Sequence, residues 1–342
     1  MTPTSRLAPV GAVIAHLDGR PPRQLRVERR VLRGGLEAAG VAQLSARYRD
    51  RHGRERVRRV VEKRLAGPST REAAIYEAFV VSHVGDLSPR LLAVERVAPG
   101  RAVLYLESLR RASSWPWRDR QASQHVLDRA ARLHECVPHD DGMAALADWD
   151  YEAELQEMAA LTVDRLEQVR RRPALRRFGG GLRWARRLAT SLRQLRRQLL
   201  AGGPLGRAVV HGDLHPGNVV VRRRAGRVEP MLLDWGRARI GSPLEDVSCW
   251  LHSLGTWEPE ARRRHDTLLA GYLTARGLEA RLTAELRASY WLASASNALS
   301  GALLHHLSVL LGERHSATVR ASAAYAARRW VQVLRRADAC WC

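Results

Sequence analysis

The chain is almost without lysine. Of its 57 lysine and arginine residues, one is lysine, Lys63, and the other 56 are arginine. The arginines run from Arg6 to Arg336 in short runs with no dominating basic tail. The formal net charge of +22 therefore reads first as solvated surface, where arginine and lysine usually exchange, and second as an arginine-rich nucleic-acid-binding face. Against this bias the surviving lysine carries information. A compact ammonium on a flexible stem fits where a broad planar guanidinium does not.

Cysteine is scarce as well. Cys136, Cys249, Cys340 and Cys342 form no CxxC pair, and the last two are too close together for a conventional disulfide framework. That excludes a zinc ribbon or a disulfide scaffold, and a reduced, cytoplasmic setting is expected. No signal peptide is expected, because "LAPVGAVIAHL" is short, holds Pro9 and His16, and has only Arg6 before it. The chain lacks internal repeats and low-complexity linkers. Its one long uncharged stretch, 288–312, carries Asn297, five serines, His305 and His306. Trp291, Ala295, Leu299, Leu303, Leu307 and Leu311 recur there at helical spacing, so a buried helix is expected rather than a membrane span.

What is present is a globular chain of 342 residues with a hydrophobic fraction of 45%, long enough for two domains or lobes with a core each. Residues 24–65 read as three short strands, "QLRVERRVL", "VAQLSARYR" and "RVRRVVEKRL", broken by "RGGLEAAG" and the turn "DRHGRE". A helix follows at "REAAIYEAFVVSHV", with Ser69 and Glu72 spaced as a capping box. Two further strands, "RLLAVERV" and "RAVLYLESL", complete a small antiparallel unit with one helix. After Glu107 long helical patterns take over, and they continue to about Leu334. The expected division is an N-terminal lobe over 1–107 and a helical lobe over 108–342.

One apolar-rich run interrupts the helices. "VVHGDLHPGNVVV", residues 209–221, is followed by a basic turn and "MLLDWG". Two buried strand ends would bring Asp213, Asn218 and Asp234 together. These are hard oxygen donors and proton acceptors, suited to magnesium and phosphates and not to zinc or iron. His211 and His215 imitate a metal site, but no cysteine lies near them. A polar hairpin turn would use the same residue types. Lysine on a strand, glutamate on the next helix, Asp-x4-Asn and then Asp-x-Gly is the order of parts for kinase-type phosphoryl transfer. Glu77 is the alternative to Glu72 as the partner of Lys63. "SPLED" reads as a helix start, with Ser242 as N-cap, Pro243 at the first helical position and Glu245 at the third.

"VVHGDLHPGNVVV" with "LLDWGRARIGSPLEDVSCWL" closely resembles the aminoglycoside phosphotransferase and choline kinase-like superfamily. The likeness is strong over about 205–255, reasonable over 25–110 and architectural elsewhere. It implies an α+β, bilobal protein kinase-like fold, with a small antiparallel β-rich N-lobe and a larger, mainly helical C-lobe. It further implies a phosphotransferase that uses ATP (GTP not excluded) and Mg2+. By this resemblance Asp213 matches the catalytic aspartate that takes or orients the acceptor hydroxyl's proton. Asn218 and Asp234 match the magnesium ligands. Lys63 matches the lysine that holds the α- and β-phosphates, with Glu72 its partner, and Gly34, Gly35 and Glu107 fall with the nucleotide-binding residues. His211 opens the catalytic loop, and Asp246 matches an aspartate that braces it. His215 has no implied role. "RGGLEAAG" departs from G-x-G-x-x-G, and the short path from "DWG" to the next helix leaves little room for a peptide platform. Both features favour a small hydroxylated acceptor over a protein. An aminoglycoside, a sugar or an amino alcohol would fit, with no specific nucleic acid and no membrane as partner.

A cationic acceptor would need carboxylates, and "HDDGMAALADWDYEAELQE" is an acidic island that could supply them. A solvated helix face compensating nearby arginines is the preferred explanation of that island. Trp115, Trp117 and Trp149 offer rings for stacking or for loop packing. Two rival functions stand beside the phosphotransferase: a catalytically silent kinase-like binding module, and the arginine-rich nucleic-acid binder.

Overall fold

A computed structural model describes residues 7–32, 40–109, 115–224, 227–312 and 314–341. Gly34 and Gly35 lie outside the described residues. In chain order the elements are α1 (Leu7–Asp18), β1 (Arg23–Leu32), β2 (Gly40–Arg49), β3 (Glu55–Ala66), α2 (Arg71–Ile75), α3 (Val81–His83), β4 (Leu91–Ala98), β5 (Arg101–Glu107), α4 (Arg120–His134), α5 (Asp140–Ala147), α6 (Tyr151–Arg171), α7 (Leu182–Gly202), β6 (Ala208–Val210), β7 (Val219–Arg224), β8 (Arg227–Leu232), β9 (Arg239–Gly241), α8 (Pro243–Trp257), α9 (Pro259–Arg263), α10 (His265–Ala275), α11 (Ala284–Asn297), α12 (Leu303–Leu311) and α13 (Ala317–Trp341). They divide into two compact units. One comprises Met1–Ser114, Pro138–Ala145 and Gly217–Arg237; the other comprises Trp115–Val137, Leu146–Pro216 and Ala238–Cys342.

The first unit is built on a five-stranded antiparallel sheet of order β1-β2-β3-β5-β4. Period-2 alternation makes it. Ala42, Leu44, Ala46 and Tyr48 of β2 are buried, and the residues between them are not. That buried face meets Val10, Val13 and Ile14 of α1, spaced i, i+3, i+4 as a helix stripe requires. The segment "LAPVGAVIAHL" is thus part of a helix that covers the sheet. In β3 the same alternation sends Val60 to the α1 side and Lys63 to the other, toward α2.

The helix after β3 forms as expected, but its start differs. Ser69 sits in a 3-10 turn, Gly67–Thr70, and its Oγ donates to the Ala66 carbonyl at 2.8 Å while accepting from the Ala66 amide at 3.0 Å. The Ser69–Glu72 capping box is not formed, because Glu72 points at Lys63 instead. A π turn, Tyr76–Val80, joins α2 to α3.

The second unit is helical around α8, which packs on α11 and α4, while α12 packs on α13 and α6 on α7. The uncharged stretch is buried over 292–299 as expected, while the part beyond it buries only one face, and it is two helices and not one. A π turn, Ala298–Ala302, separates α11 from α12, and Gly301 there takes φ 134°, which a side chain would resist. Its buried polar residues have partners. Asn297 Nδ2 donates to the Glu245 carbonyl at 2.7 Å, and Ser294 Oγ meets His252 Nε2 at 2.9 Å. Among the described residues no helix is long and apolar enough to cross a membrane.

The strands flanking "HGDLHPGN" do not pair with each other. β6 pairs with β9, and β7 pairs with β8. The segment is therefore a loop between two separate strand pairs and not a hairpin turn.

Ile14 is 0% exposed at the centre of the α1 stripe. Ile14→Ala should cost about 2–5 kcal/mol and lower the denaturant midpoint. An unchanged midpoint would show that α1 contributes nothing to the sheet's stability.

Candidate active site

Lys63 is the centre of the first unit's site. Its Nζ lies 2.5 Å from Glu72 Oε2 and 3.1 Å from Asp234 Oδ1. β3 supplies the lysine, the first turn of α2 supplies Glu72, and the turn after β8 supplies Asp234. Lys63 and Glu72 are 8% and 1% exposed, so both charges need the pairing. Burial works against the ammonium, but Glu72 and Asp234 outweigh it and hold Lys63 above the ordinary lysine range. Burial lifts the Glu72 carboxyl to about 7, opposed by Lys63 and reinforced by the Asp234 charge. Glu77 is engaged elsewhere, with Arg96 at 2.5 Å.

Asn218 and Asp234 stand at one end of the β7–β8 pair. The register Val219↔Leu232 continues to the Leu233 amide, which donates to the Asn218 carbonyl at 2.8 Å. Asn218 therefore sits opposite Leu233 and beside Asp234. Asp234 has φ 66°, a left-handed conformation that aspartate tolerates better than most residues and that clusters at functional sites. The next residue anchors the turn. Trp235 is 0% exposed, and its Nε1 donates to Ser88 Oγ at 3.1 Å, which also meets Tyr76 Oη at 2.9 Å. Arg71 Nη1 donates to the Gly236 carbonyl at 2.9 Å, tying α2 to the same turn. An amide oxygen and a carboxylate next to a fixed ammonium form a hard donor set, and it fits a magnesium ion with phosphates. Among the described residues no cluster of three His, Cys, Asp or Glu could hold a metal.

The second unit holds Asp213 through Asp246. That carboxylate is 0% exposed. It accepts from the His211 amide at 2.6 Å, from the Gly212 amide at 2.8 Å and from His134 Nε2 at 3.1 Å. Burial alone would raise its pKa, but His134 and the His211 amide hold it below the usual carboxylate range. Gly212 takes φ 79°, so only glycine fits easily where the chain turns past the carboxylate. His211 Nδ1 then accepts from the Asp213 amide at 3.3 Å. The Asp213 side chain is 37% exposed, and His215 Nε2 lies 3.6 Å from its Oδ2. The loop's second histidine is therefore a neighbour of the aspartate.

Sequence reasoning missed the parts behind this loop. His134 bridges Asp246 to Tyr272 Oη, 2.7 Å from its Nδ1; the signal was a polar residue on the apolar stripe of α4. Glu245, expected only as a third helical residue, accepts from Arg196 Nε at 2.9 Å and from Arg239 Nη2 at 3.0 Å. Those guanidiniums outweigh burial and keep its carboxyl low. Arg239 lies over the Tyr151 ring at 3.6 Å. This cluster pins β9, and with it β6, to the start of α8. Ser242 caps α8 as expected, accepting from the Leu244 amide.

The remaining candidates are placed as follows. Glu107 lies 3.5 Å from Arg222 and accepts from the Arg90 amide at 3.3 Å. Three carboxylates of the acidic island have partners within the protein. Glu152 pairs with Arg197 at 3.2 Å and approaches Arg193 and Arg196 at 3.7 Å. Asp150 caps α6, and Glu154 accepts from Trp149 Nε1 at 2.8 Å. Trp117 is buried edge-on against Trp250, so its ring serves packing.

Asp246 stabilises the fold fully above its unfolded-state value near 4, and the contribution is lost as pH falls through the lower folded-state value. The stability loss between pH 5 and pH 3, read from urea midpoints, should be smaller in Asp246→Asn than in the wild type. Equal losses would show that this carboxylate is not held low.

A sequence model of the phosphotransferase enzyme family matches residues 35–288. Comparison with curated protein sequences finds no match. Among solved structures, a choline/ethanolamine kinase family protein from Mesorhizobium loti is 19% identical with a TM-score of 0.54, over 97% of this chain and 99% of that one. A microcompartment-associated aminopropanol kinase is 14% identical with a TM-score of 0.57, over 95% and 96%. A spectinomycin phosphotransferase in complex with ADP and spectinomycin is 10% identical with a TM-score of 0.54, over 96% and 98%. These likenesses show the protein kinase-like fold, and with more than half of its length matched by the family model the chain belongs to the phosphotransferase enzyme family.

Proposed function

We propose that the protein is an ATP- and magnesium-dependent phosphotransferase that moves the γ-phosphate to a hydroxyl of a small molecule. The observation that carries this reading is the Lys63 ammonium, fixed at 2.5 Å from Glu72 and 3.1 Å from Asp234. Phosphoryl transfer needs little covalent help from the protein. Its barrier falls when phosphates, metal and acceptor are fixed and the developing charge is met by cations.

In this reading Lys63 binds the α- and β-phosphates, and Glu72 holds it in place. Asn218 and Asp234 would hold magnesium, which when bound neutralises charge on the transferring group. Asp213 accepts the proton of the acceptor hydroxyl. The acceptor oxygen bonds to the γ-phosphorus as the bond to the bridging oxygen breaks, and the nucleoside diphosphate leaves. GTP would meet the same phosphate contacts. The path from Asp234 to α8 supports a small acceptor over a peptide. It holds only a 3-10 turn, Trp235–Arg237, and the short strand β9 before Pro243 begins the helix. The family's members and the amino-alcohol and aminoglycoside kinases among the structural relatives favour an aminoglycoside, a sugar or an amino alcohol.

The test is nucleotide consumption with ATP and magnesium over a panel of aminoglycosides, choline-like amino alcohols, sugars and nucleosides. Asp213→Ala should lower kcat by about 10²–10⁴-fold while nucleotide binding persists. Wild-type turnover by that variant on an identified acceptor would falsify the role of Asp213. Lys63→Arg should also lose turnover, because a planar fork does not fit between two carboxylates that close. Chelation by EDTA should abolish turnover, and added magnesium should restore it.

A further inference from the structure

Between α8, α9, α10, α11 and α13 of the helical unit lies an open cavity of about 760 Å³, a volume within the range of small-molecule sites. No residue of the 209–221 loop lines it. Its α8 wall includes His252, which stands about 240° round that helix from Asp246. The cavity is therefore separate from the loop that Asp246 holds.

Five arginines line the cavity against two carboxylates, and both carboxylates are taken. Glu260 pairs with Arg263 at 3.2 Å and Asp266 with Arg287 at 2.9 Å. Arg262, Arg329 and Arg336 have no carboxylate partner among the described residues. Arg262 Nε donates to the Pro259 carbonyl at 3.3 Å, Arg329 Nη1 donates to Gln332 Oε1 at 2.9 Å, and Arg336 lies over the Trp291 ring at 4.8 Å. These neutral partners leave the three charges uncompensated. Elsewhere the chain meets inward-drawn arginines with carboxylates: Arg196 and Arg239 share Glu245, and Arg222 has Glu229 at 2.9 Å. Arg329 is half-buried without one. Burial and the charges of Arg262 and Arg336 push it below the ordinary arginine range, so the three guanidiniums stand close enough to oppose one another. Like charges gathered on one wall repel unless an anion sits among them.

The rest of the wall suits a ring. Tyr290 and Trp291 supply aromatic side chains. The tyrosine hydroxyl is fixed by His265 Nε2 at 2.8 Å and His252 Nε2 at 3.3 Å. Burial, His265, Arg329 and Arg336 keep the His252 imidazole neutral, so the arginines carry the charge of the site.

We propose that this cavity is a second ligand site, apart from the catalytic loop, for a phosphate group, free or borne on a small polar ring, held by Arg262, Arg329 and Arg336. Three guanidiniums without a counter-charge match a dianion better than a single carboxylate, and each offers a planar fork for two phosphate oxygens. The site does not depend on the phosphotransferase reading, because no residue of the loop takes part in it.

The test is calorimetry on the full chain with magnesium and a non-hydrolysable ATP analogue at saturation, so that phosphate does not report on the nucleotide site. Salt is kept high enough to screen the general field of the chain. The probes are inorganic phosphate, a hexose 6-phosphate, the corresponding uronate and the hexose itself. Both phosphates should bind about tenfold or more tightly than the hexose, with the uronate between. A 6-phosphate that outbinds inorganic phosphate assigns the site to a phosphate ester; one that binds no more tightly assigns it to free phosphate. Arg329→Gln/Arg336→Gln should weaken phosphate binding about tenfold and leave the Kd of the ATP analogue unchanged. Arg262→Gln, at an exposed position, should weaken it in the same direction without a folding cost. Arg51→Gln/Arg54→Gln, which removes as many charges from the exposed turn between β2 and β3, should leave it unchanged. The proposal is overturned if neither phosphate outbinds the hexose, if the uronate outbinds the 6-phosphate, or if the cavity variants keep the wild-type Kd. It is overturned equally if the turn variant weakens phosphate as much as they do, since that would leave only the general field of a chain of net charge +22.

Discussion

A carboxylate with no access to water is a liability unless donors surround it. Asp246 meets that condition with two consecutive backbone amides and an imidazole, and the geometry of the loop follows. To present both amides to one carboxylate the chain must turn sharply at Gly212. That turn places His211 under the amide of Asp213 and leaves the Asp213 side chain facing outward, partly solvated. The aspartate proposed as the proton acceptor is thus oriented by a second aspartate through His211 and Gly212. Behind Asp246 the chain of groups runs on through His134 and Tyr272 to Arg276, whose Nη1 donates to the tyrosine oxygen at 3.1 Å. Preorganisation of this kind is set during folding and costs nothing at the moment of reaction.

The arginine surplus takes on different meanings in different places. Arg196 and Arg239 are 3% exposed and clamp one buried glutamate. Arg193 and Arg197 meet one carboxylate of the acidic island, Glu152. Along the cavity between α8, α9, α10, α11 and α13, Arg263 and Arg287 have carboxylate partners, while Arg262, Arg329 and Arg336 have none among the described residues. A net charge read from composition averages over all three situations, which is why +22 alone decides nothing about a partner.

Much of the first unit was legible because its strands alternate and its turns are marked. Each of the five strands lies within a residue or two of its expected limits. The candidate-site residues Lys63, Glu72, Asp213, Asn218 and Asp234 were named from short, ordered motifs, and of these the structure sets Lys63 between Glu72 and Asp234. What sequence reading missed depends on packing. His134 looks like any histidine in an arginine-rich helix until α8 brings Asp246 to it. Ser69 and Glu72 satisfy the spacing of a capping box, yet Glu72 pairs with the buried Lys63 and Ser69 bonds the Ala66 backbone instead. Glu245 sits where a capping residue belongs and is used as an anchor for two arginines from elsewhere in the chain. Local spacing proposes a partner, and tertiary competition decides whether it is taken.

The two compact units are interleaved along the chain. The unit that carries Lys63 and Glu72 is not complete when the N-terminal sheet has been made; it recruits Gly217–Arg237, which bring Asn218 and Asp234, after more than a hundred intervening residues. During synthesis Lys63 and Glu72 therefore emerge long before the second carboxylate of their trio. Neither unit can be cut out as one uninterrupted stretch of polypeptide. An N-terminal fragment ending before residue 217 would lack Asp234, one of the two carboxylates that Lys63 meets.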